Sequence, residues 1–247
     1  MPKISICIPA YDMGGKGAMF LEQSFLRLGA QDFGDFEVVV SDQSQSSDVY
    51  DLCVATTEIT MRHVWFRDGP KQASANTNNA MRHATGEIIK ILFQDDLLMA
   101  RDALRQTAEA FDHSDAAWLI CGSGVTRDGQ TVERPMVPRL HPQLHLGKNT
   151  VSSPSVLAMR AAQKLEFDED LIWLMDVDLY KRLLLAYGAP HILPDTLVWN
   201  RLHSGQVSES VSGETRAREL KYVRGKLSAH ETFGDWLMYH KQVLKIR

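Results

Sequence analysis

In the first half of the chain, short apolar runs of strand length alternate with segments of helical spacing, and that alternation admits few folds. Ile4, Ile6 and Ile8 alternate with Ser5 and Cys7, a strand that ends at Pro9. Phe20, Leu21, Ser24, Phe25 and Leu28 then recur with the period of a helix. Phe36 to Val40 predicts a second strand and His63 to Arg67 a third. Gln72 to Ala84 predicts a helix stopped by Gly86, and Ile88 to Phe93 a fourth strand. The pattern predicts an α/β chain with a mixed, mostly parallel sheet and helices on both of its faces.

In such sheets, ligands bind beyond the carboxyl ends of the strands. The residues just after the first, second and fourth strands are Tyr11-Asp12, Asp42 and Asp95-Asp96, which brings four carboxylates to one predicted edge. A single Asp after a strand is an ordinary turn residue. Three acidic strand ends on one edge point further, to a polar site. Hard divalent cations take oxygen ligands, and Mg²⁺ in particular binds one or two carboxylates plus phosphate oxygens and water. Asp95-Asp96 suits that chemistry, and Asp96 suits equally a cap on the helix that follows. Gly14-Gly15-Lys16-Gly17 has neither the GxxxxGK[ST] nor the GxGxxG spacing, so it predicts a flexible loop rather than a phosphate cradle.

The second half is less regular. Arg101 to Phe111 predicts a helix, Ala116 to Cys121 a strand, and Asp128-Gly129 a hairpin turn. Pro135 to Gly147, with three prolines, predicts an irregular loop. Ser155 to Met159 predicts a short strand, and Met175 to Tyr187 a helix ending at Gly188. Asp176 opens that helix, as its N-cap or as a general base held rigidly by it, with Asp178 as a capping or solvated partner. His203 follows the strand-like Thr196 to Trp199 in a polar loop, where a histidine serves structure, metal or phosphate. From Glu214 onward the chain predicts one or two helices, with eight basic against four acidic residues.

The formal net charge of −4 disfavours nucleic acid as a partner. Three scattered cysteines, Cys7, Cys53 and Cys121, support neither a zinc ribbon nor a disulfide framework. No apolar run approaches bilayer-spanning length. The expectation is a cytoplasmic protein whose membrane contact is at most peripheral, through the basic tail, on the inner face.

Taken in order, these motifs resemble the family 2 glycosyltransferases of the GT-A, Rossmann-like fold, from Ile4 to about Ser208. Pro9-Ala10-Tyr11-Asp12 is similar to the family's nucleotide-contacting Pro-x-Tyr-Asn, with Asp12 in place of Asn. Val40-Ser41-Asp42-Gln43-Ser44 resembles Val-Asp-Asp-Gly-Ser, whose second Asp binds uracil. Asn78 to Gly86 resembles the helix before the metal strand, and Gln94-Asp95-Asp96 resembles Asp-x-Asp with its first Asp changed. Met175-Asp176 is similar to the Glu-Asp pair that carries the base. His203, with Gln206 and Ser208, is similar to the C-terminal histidine that reaches the diphosphate or metal. Gly14-Gly15-Lys16-Gly17 and Ser152-Ser153-Pro154-Ser155 look like a bacterial surface-polysaccharide subgroup.

The resemblance implies inverting transfer from a nucleoside-diphosphate sugar, with UDP as the expected carrier. The acceptor is a saccharide or lipid-linked hydroxyl, in polysaccharide or glycolipid synthesis. Pro9, Tyr11, Asp12, Asp42, Asn78 and Asp95 would then contact nucleotide. Asp96 and His203 would hold Mn²⁺ or Mg²⁺, and Asp176 would be the base. It further implies a transferase domain over 1–212, with a nucleotide half (1–97) and an acceptor half (98–212), followed by a helical tail (213–247). A metal-dependent nucleotidyltransferase and a non-catalytic nucleotide-sugar-binding module remain as rivals.

Overall fold

The computed structural model describes residues 1–203 and 211–246. The first half supplies β1 (Ile4–Ala10), α1 (Gly17–Gly29), β2 (Phe36–Asp42), α2 (Asp48–Ala55), β3 (Met61–Trp65), α3 (Ala73–His83) and β4 (Ile88–Ile91). Its strands lie in the order β3-β2-β1-β4 and all pair in parallel, with Ala10 opposite Asp42 and Ile4 opposite Ile88. Every residue of β1 is buried, Ser5 and Cys7 included. Helices cover both faces of a parallel sheet, so the alternation of Ile with Ser and Cys does not mark a wet face. Ser5 is satisfied inside: its hydroxyl donates to Glu37 Oε1 at 2.7 Å and accepts from the Gly86 N–H at 2.7 Å. A Cβ on Gly86 would meet the Ser5 backbone nitrogen at 2.7 Å, so that close approach needs glycine.

The third strand occupies Met61–Trp65, two residues earlier than its expected place. Arg67 is drawn away to cap the turn after β2, donating to the carbonyls of Ser44, Gln45 and Ser46. Helix α2 has no counterpart in the sequence reading. It is two turns long and buries only Val49 and Cys53, too little to leave a periodic trace.

The second half supplies β5 (Leu97–Leu98), α4 (Ala103–Asp112), β6 (Trp118–Thr126), β7 (Glu133–Met136), β8 (Leu157–Arg160), α5 (Met175–Tyr187), β9 (His191–Arg201), α6 (Gly213–Lys226) and α7 (Phe233–Ile246). The whole sheet runs β3-β2-β1-β4-β8-β6-β9-β5, with β7 on β6. Strand β8 is antiparallel to both β4 and β6, and β6 pairs in parallel with β9. The sheet is therefore mixed, and its continuous parallel stretch is the first half. The Asp128-Gly129 turn forms as expected, with Asp128 Oδ1 accepting from the Gln130 and Thr131 N–H groups.

Two connections position the site. Strand β9 pairs antiparallel with β5, Leu97 opposite Trp199, which carries Asn200 to His203 back beside Asp95 and Asp96. Helix α6 puts Leu220, Val223 and Leu227 into the same core as Trp118, Leu179 and Tyr180, so this part of the tail is packed on the body.

Candidate active site

The parallel strands end on one edge, and there a cavity of about 800 Å³ opens, a size that suits a nucleotide-sized ligand. Pro9, Tyr11, Asp12, Asp95, Asp96 and Asp176 all line it; Asp42, Asn78 and His203 do not.

Asp95 and Asp96 are adjacent but differently placed. A turn closed by the Asp96 N–H on the Phe93 carbonyl, 3.0 Å, follows β4. Asp96 is buried. Its Oδ2 accepts from Ser155 Oγ (2.6 Å), Asn200 Nδ2 (2.9 Å) and Ser153 Oγ (3.2 Å), and its Oδ1 from the Arg201 N–H (3.2 Å). Burial pushes this carboxyl up to about 7, helped by the charge of Asp95 and opposed by those hydrogen bonds. Asp95 is partly open and meets His203 Nε2 at 3.0 Å. Asp96 therefore braces the floor, and the acid–imidazole pair at the rim is Asp95 with His203. Asp96, expected as a metal ligand, has both carboxylate oxygens engaged within the protein, whereas Asp95 turns its carboxylate toward His203. Gln206 and Ser208 lie outside the described residues.

Gln94, in place of the family's first Asp, has a visible task. Its Oε1 accepts from the Tyr11 N–H at 2.7 Å, and its Nε2 donates to the Tyr11 and Gly17 carbonyls. It clamps the loop after β1 against the loop after β4. Below it lies Lys90, fully buried, whose ammonium donates to the carbonyls of Ser155 and Ile91. Burial lowers its pKa. Lys90 thus fixes the turn whose Ser153 and Ser155 hold Asp96.

On the first-half wall, Asp12 ties two loops together. Its carboxylate accepts from the Gln45 N–H at 2.7 Å and from Ser46 Oγ at 2.8 Å. Burial pushes it up, but these bonds outweigh burial and hold it below the usual carboxylate range. Asp42 departs from its expected role. It is fully buried, with Oδ2 2.9 Å from His63 Nε2 and Oδ1 accepting from the Ser44 N–H at 2.8 Å. A side chain so enclosed shapes the turn and offers no face to a base. Asn78 is likewise turned inward, where it exchanges hydrogen bonds with the Phe167 backbone and donates to Glu169. The cavity is lined instead by Asn76, Gln43 and Gln45. Asn76 Nδ2 donates to the Ala10 carbonyl at 2.9 Å, and its buried Oδ1 has no hydrogen-bond partner among the described residues.

On the other wall stands Asp176, at the start of α5. Its Oδ1 accepts from the Val177 N–H and its Oδ2 from Asn149 Nδ2, both at 2.7 Å. Burial pushes the carboxyl up to about 7, against those hydrogen bonds and with help from the charge of Glu219. Asp176 is not the N-cap; that position is Leu174. Glu219 on α6 holds the turn that leads into α5, accepting the N–H groups of Ile172, Trp173 and Leu174, each at 2.9 Å. Asp178 is neither solvated nor a cap. It is fully buried and pairs with Arg182 at 2.7 Å and Lys226 at 2.9 Å.

Asn76, Asn149, Asn200 and Glu219 escaped the sequence reading. Asn76 stands two residues from the motif position Asn78 in an Asn-rich helix, where only the helix's rotation tells them apart. The other three lie far in sequence from the groups they serve.

A model of the family described as Glycosyl transferase family 2 matches residues 5–165. Over 128 residues, 49% of this chain, the sequence is 31% identical to the GalNAc(5)-diNAcBac-PP-undecaprenol beta-1,3-glucosyltransferase of Campylobacter jejuni; the match covers 39% of that enzyme's length. The structure of S. aureus TarS 1-349 in complex with UDP-GlcNAc superposes with a TM-score of 0.70 at 20% identity, over 91% of this chain and 66% of that one. The mannosyltransferase PcManGT of Pyrobaculum calidifontis, in complex with GDP-Man and Mn²⁺, superposes with a TM-score of 0.63 at 20% identity, over 98% of this chain and 69% of that one.

Proposed function

The chain belongs to glycosyl transferase family 2 and has its GT-A fold, and from that premise we propose an inverting sugar transfer from a uridine-diphosphate donor to a hydroxyl of a lipid-linked saccharide. The observation that carries this reading is a single cavity holding both the Asp95 carboxylate and Asp176, whose pKa is raised toward 7. The solved neighbours were captured with different nucleotides, UDP-GlcNAc and GDP-Man, so the fold alone leaves the base open. The UDP-GlcNAc complex of TarS supports uridine, and Gln43, Gln45 and Asn76 line the wall that would receive the base. Pro9 and Tyr11 would pack against the base, and Asp12 would hold the loop that receives it.

In the transfer, Asp176 takes the proton of the acceptor hydroxyl while the oxygen attacks the anomeric carbon. The bond from that carbon to the phosphate oxygen breaks, and the diphosphate leaves with the electron pair. Attack from the far face inverts the configuration. Asn149 holds the carboxylate of Asp176 at the angle at which it receives the proton.

Among the described residues no group of three or more His, Cys, Asp or Glu side chains could hold a metal ion by itself. Asp95 and His203 offer two ligands, which fits Mn²⁺ or Mg²⁺ completed by diphosphate oxygens and water. A bound cation would supply positive charge for the departing diphosphate. A lipid-linked acceptor would bring the reaction to a membrane surface, on the cytoplasmic side where nucleotide sugars are made. The Campylobacter relative, named for an undecaprenol-linked substrate, supports that acceptor class.

Thermal shift tests the donor site. UDP at about 100 times its Kd is expected to stabilise the fold by roughly 2.7 kcal/mol in Mn²⁺ and much less in chelator. Asp95→Asn should erase the difference between the two buffers. Equal stabilisation of the native protein in both would remove the metal-bridged diphosphate, and a stronger response to GDP would remove uridine.

A further inference from the structure

Helix α7 is apolar on two faces. One face, with Met238, Tyr239, Val243 and Ile246, packs on the body of the protein. The other points outward and carries Phe233 (74% exposed), Trp236 (44%), Leu237 (49%) and Leu244 (70%). At 100° per residue these four positions and His240 fall within one stripe about a third of the helix wide. Phe233 and Trp236 stack with ring centroids 5.9 Å apart, and Trp236 meets the His240 ring at 4.4 Å. Scattered exposed hydrophobics are ordinary on a protein surface; an aromatic and aliphatic stripe along one helix is not.

The charge around this stripe is one-sided. From Glu214 to the end the sequence has eight basic and four acidic residues, on a chain whose net charge is −4. Two of the four acids, Glu219 and Asp235, are buried, and Glu231 is paired with Arg224. Exposed Lys241 and Lys245 both lie along one edge of the stripe, and no acidic residue lies on it. No helix among the described residues is long and apolar enough to cross a membrane.

We infer that the outward face of α7 docks flat on an anionic lipid bilayer, its rings and leucines entering the headgroup boundary while Lys241 and Lys245 meet lipid phosphates. An apolar face with a basic edge and interfacial aromatics is the composition that lies in a membrane surface. The charge complementarity selects a bilayer over a second copy of a chain that is itself acidic. The inference deepens the proposed lipid-linked acceptor, since docking by α7 holds the cavity near lipid-borne substrate. It differs from the sequence expectation in its cause. Part of the basic face of α6 is engaged by acids of the protein, Lys226 with Asp168 and Asp178 and Arg224 with Glu231, while α7 adds the apolar stripe that α6 lacks.

Co-sedimentation of the full chain with phosphatidylcholine vesicles, with and without 30% phosphatidylglycerol, at low and physiological salt tests this. Binding to the anionic vesicles is expected, weaker at the higher salt. Lys241→Glu with Lys245→Glu should weaken it by roughly thirtyfold or more, since each basic residue near an anionic surface contributes about fivefold. Phe233→Ser with Leu244→Ser should abolish it. UDP thermal shifts should be unchanged in every variant, which shows that they fold and separates this result from the fate of the donor site. Native protein that stays in the supernatant with anionic vesicles at both salts overturns the inference. So does a dimer in ultracentrifugation that Phe233→Ser dissociates while vesicle binding is absent, because the face is then a contact between copies.

Discussion

Asp176→Asn is expected to lower sugar transfer by on the order of 10² to 10⁴, the usual contribution of a positioned general base, while UDP affinity stays within about twofold. Asn keeps the shape and can accept from the Val177 N–H as Asp176 does, but it cannot take a proton. The native enzyme should work with Asp176 ionised. With the carboxyl held up to about 7 by burial, transfer should fall as pH drops through that value. The stability sign runs the other way. The folded carboxyl keeps a proton that the unfolded chain, at an ordinary 3.8, has already released. Its contribution is full below 3.8 and is lost as pH rises through about 7. The stability of Asp176→Asn relative to the native protein should therefore rise as pH climbs through about 7, from a start lowered by the amide donor it turns toward Asn149 Nδ2. Urea titration and product analysis on one preparation decide the matter. Full transfer activity in Asp176→Asn would move the base elsewhere, and a large loss of stability would make Asp176 a structural residue.

The first half was legible because parallel strands covered on both faces are nearly unbroken apolar runs, and such runs are hard to mistake. Their polar ends marked the cavity edge, and Pro9, Tyr11, Asp12, Asp95 and Asp96 are there. Facing was not legible. Nothing local says that Asp96 turns inward and Asp95 outward. That is decided by Asn200 and Arg201, more than a hundred residues later, when β9 pairs with β5. Asp42 shows the same limit, since its enclosure depends on His63 from the next strand. Strand β9 was seen only in part because His191 to Thr196 alternates partly and fully exposed residues, without an apolar face. The tail was legible as helix and charge, but its burial against α5 was not, because Leu220, Val223 and Leu227 make only a narrow apolar stripe and Glu219 and Lys226 find their partners some 45 residues back in the chain.

The Glu219 carboxylate carries the other large expectation. The turn that leads into α5, Ile172 to Leu174, points three backbone N–H groups at one side chain. Glu219 supplies the acceptor from 45 to 47 residues away, at 1% exposure, and so fixes the segment that presents Asp176. Glu219→Ala strands three inward-facing donors and is expected to cost about 3–5 kcal/mol of folding stability. Glu219→Gln is the sharper probe. It has one acceptor oxygen instead of two, and its amide group turns a donor toward donors. It should still fold, with a loss of roughly 1–3 kcal/mol. It also removes a negative charge that helps to raise the pKa of Asp176, so the acid limb of the pH–rate profile should move to lower pH. A residue that merely stabilised the fold would leave that limb in place. The expected pattern is a reduced transfer rate, unchanged UDP affinity and an acid limb displaced downward. Glu219→Gln with native stability and a native pH profile would mean that α6 rests on the domain without governing its base.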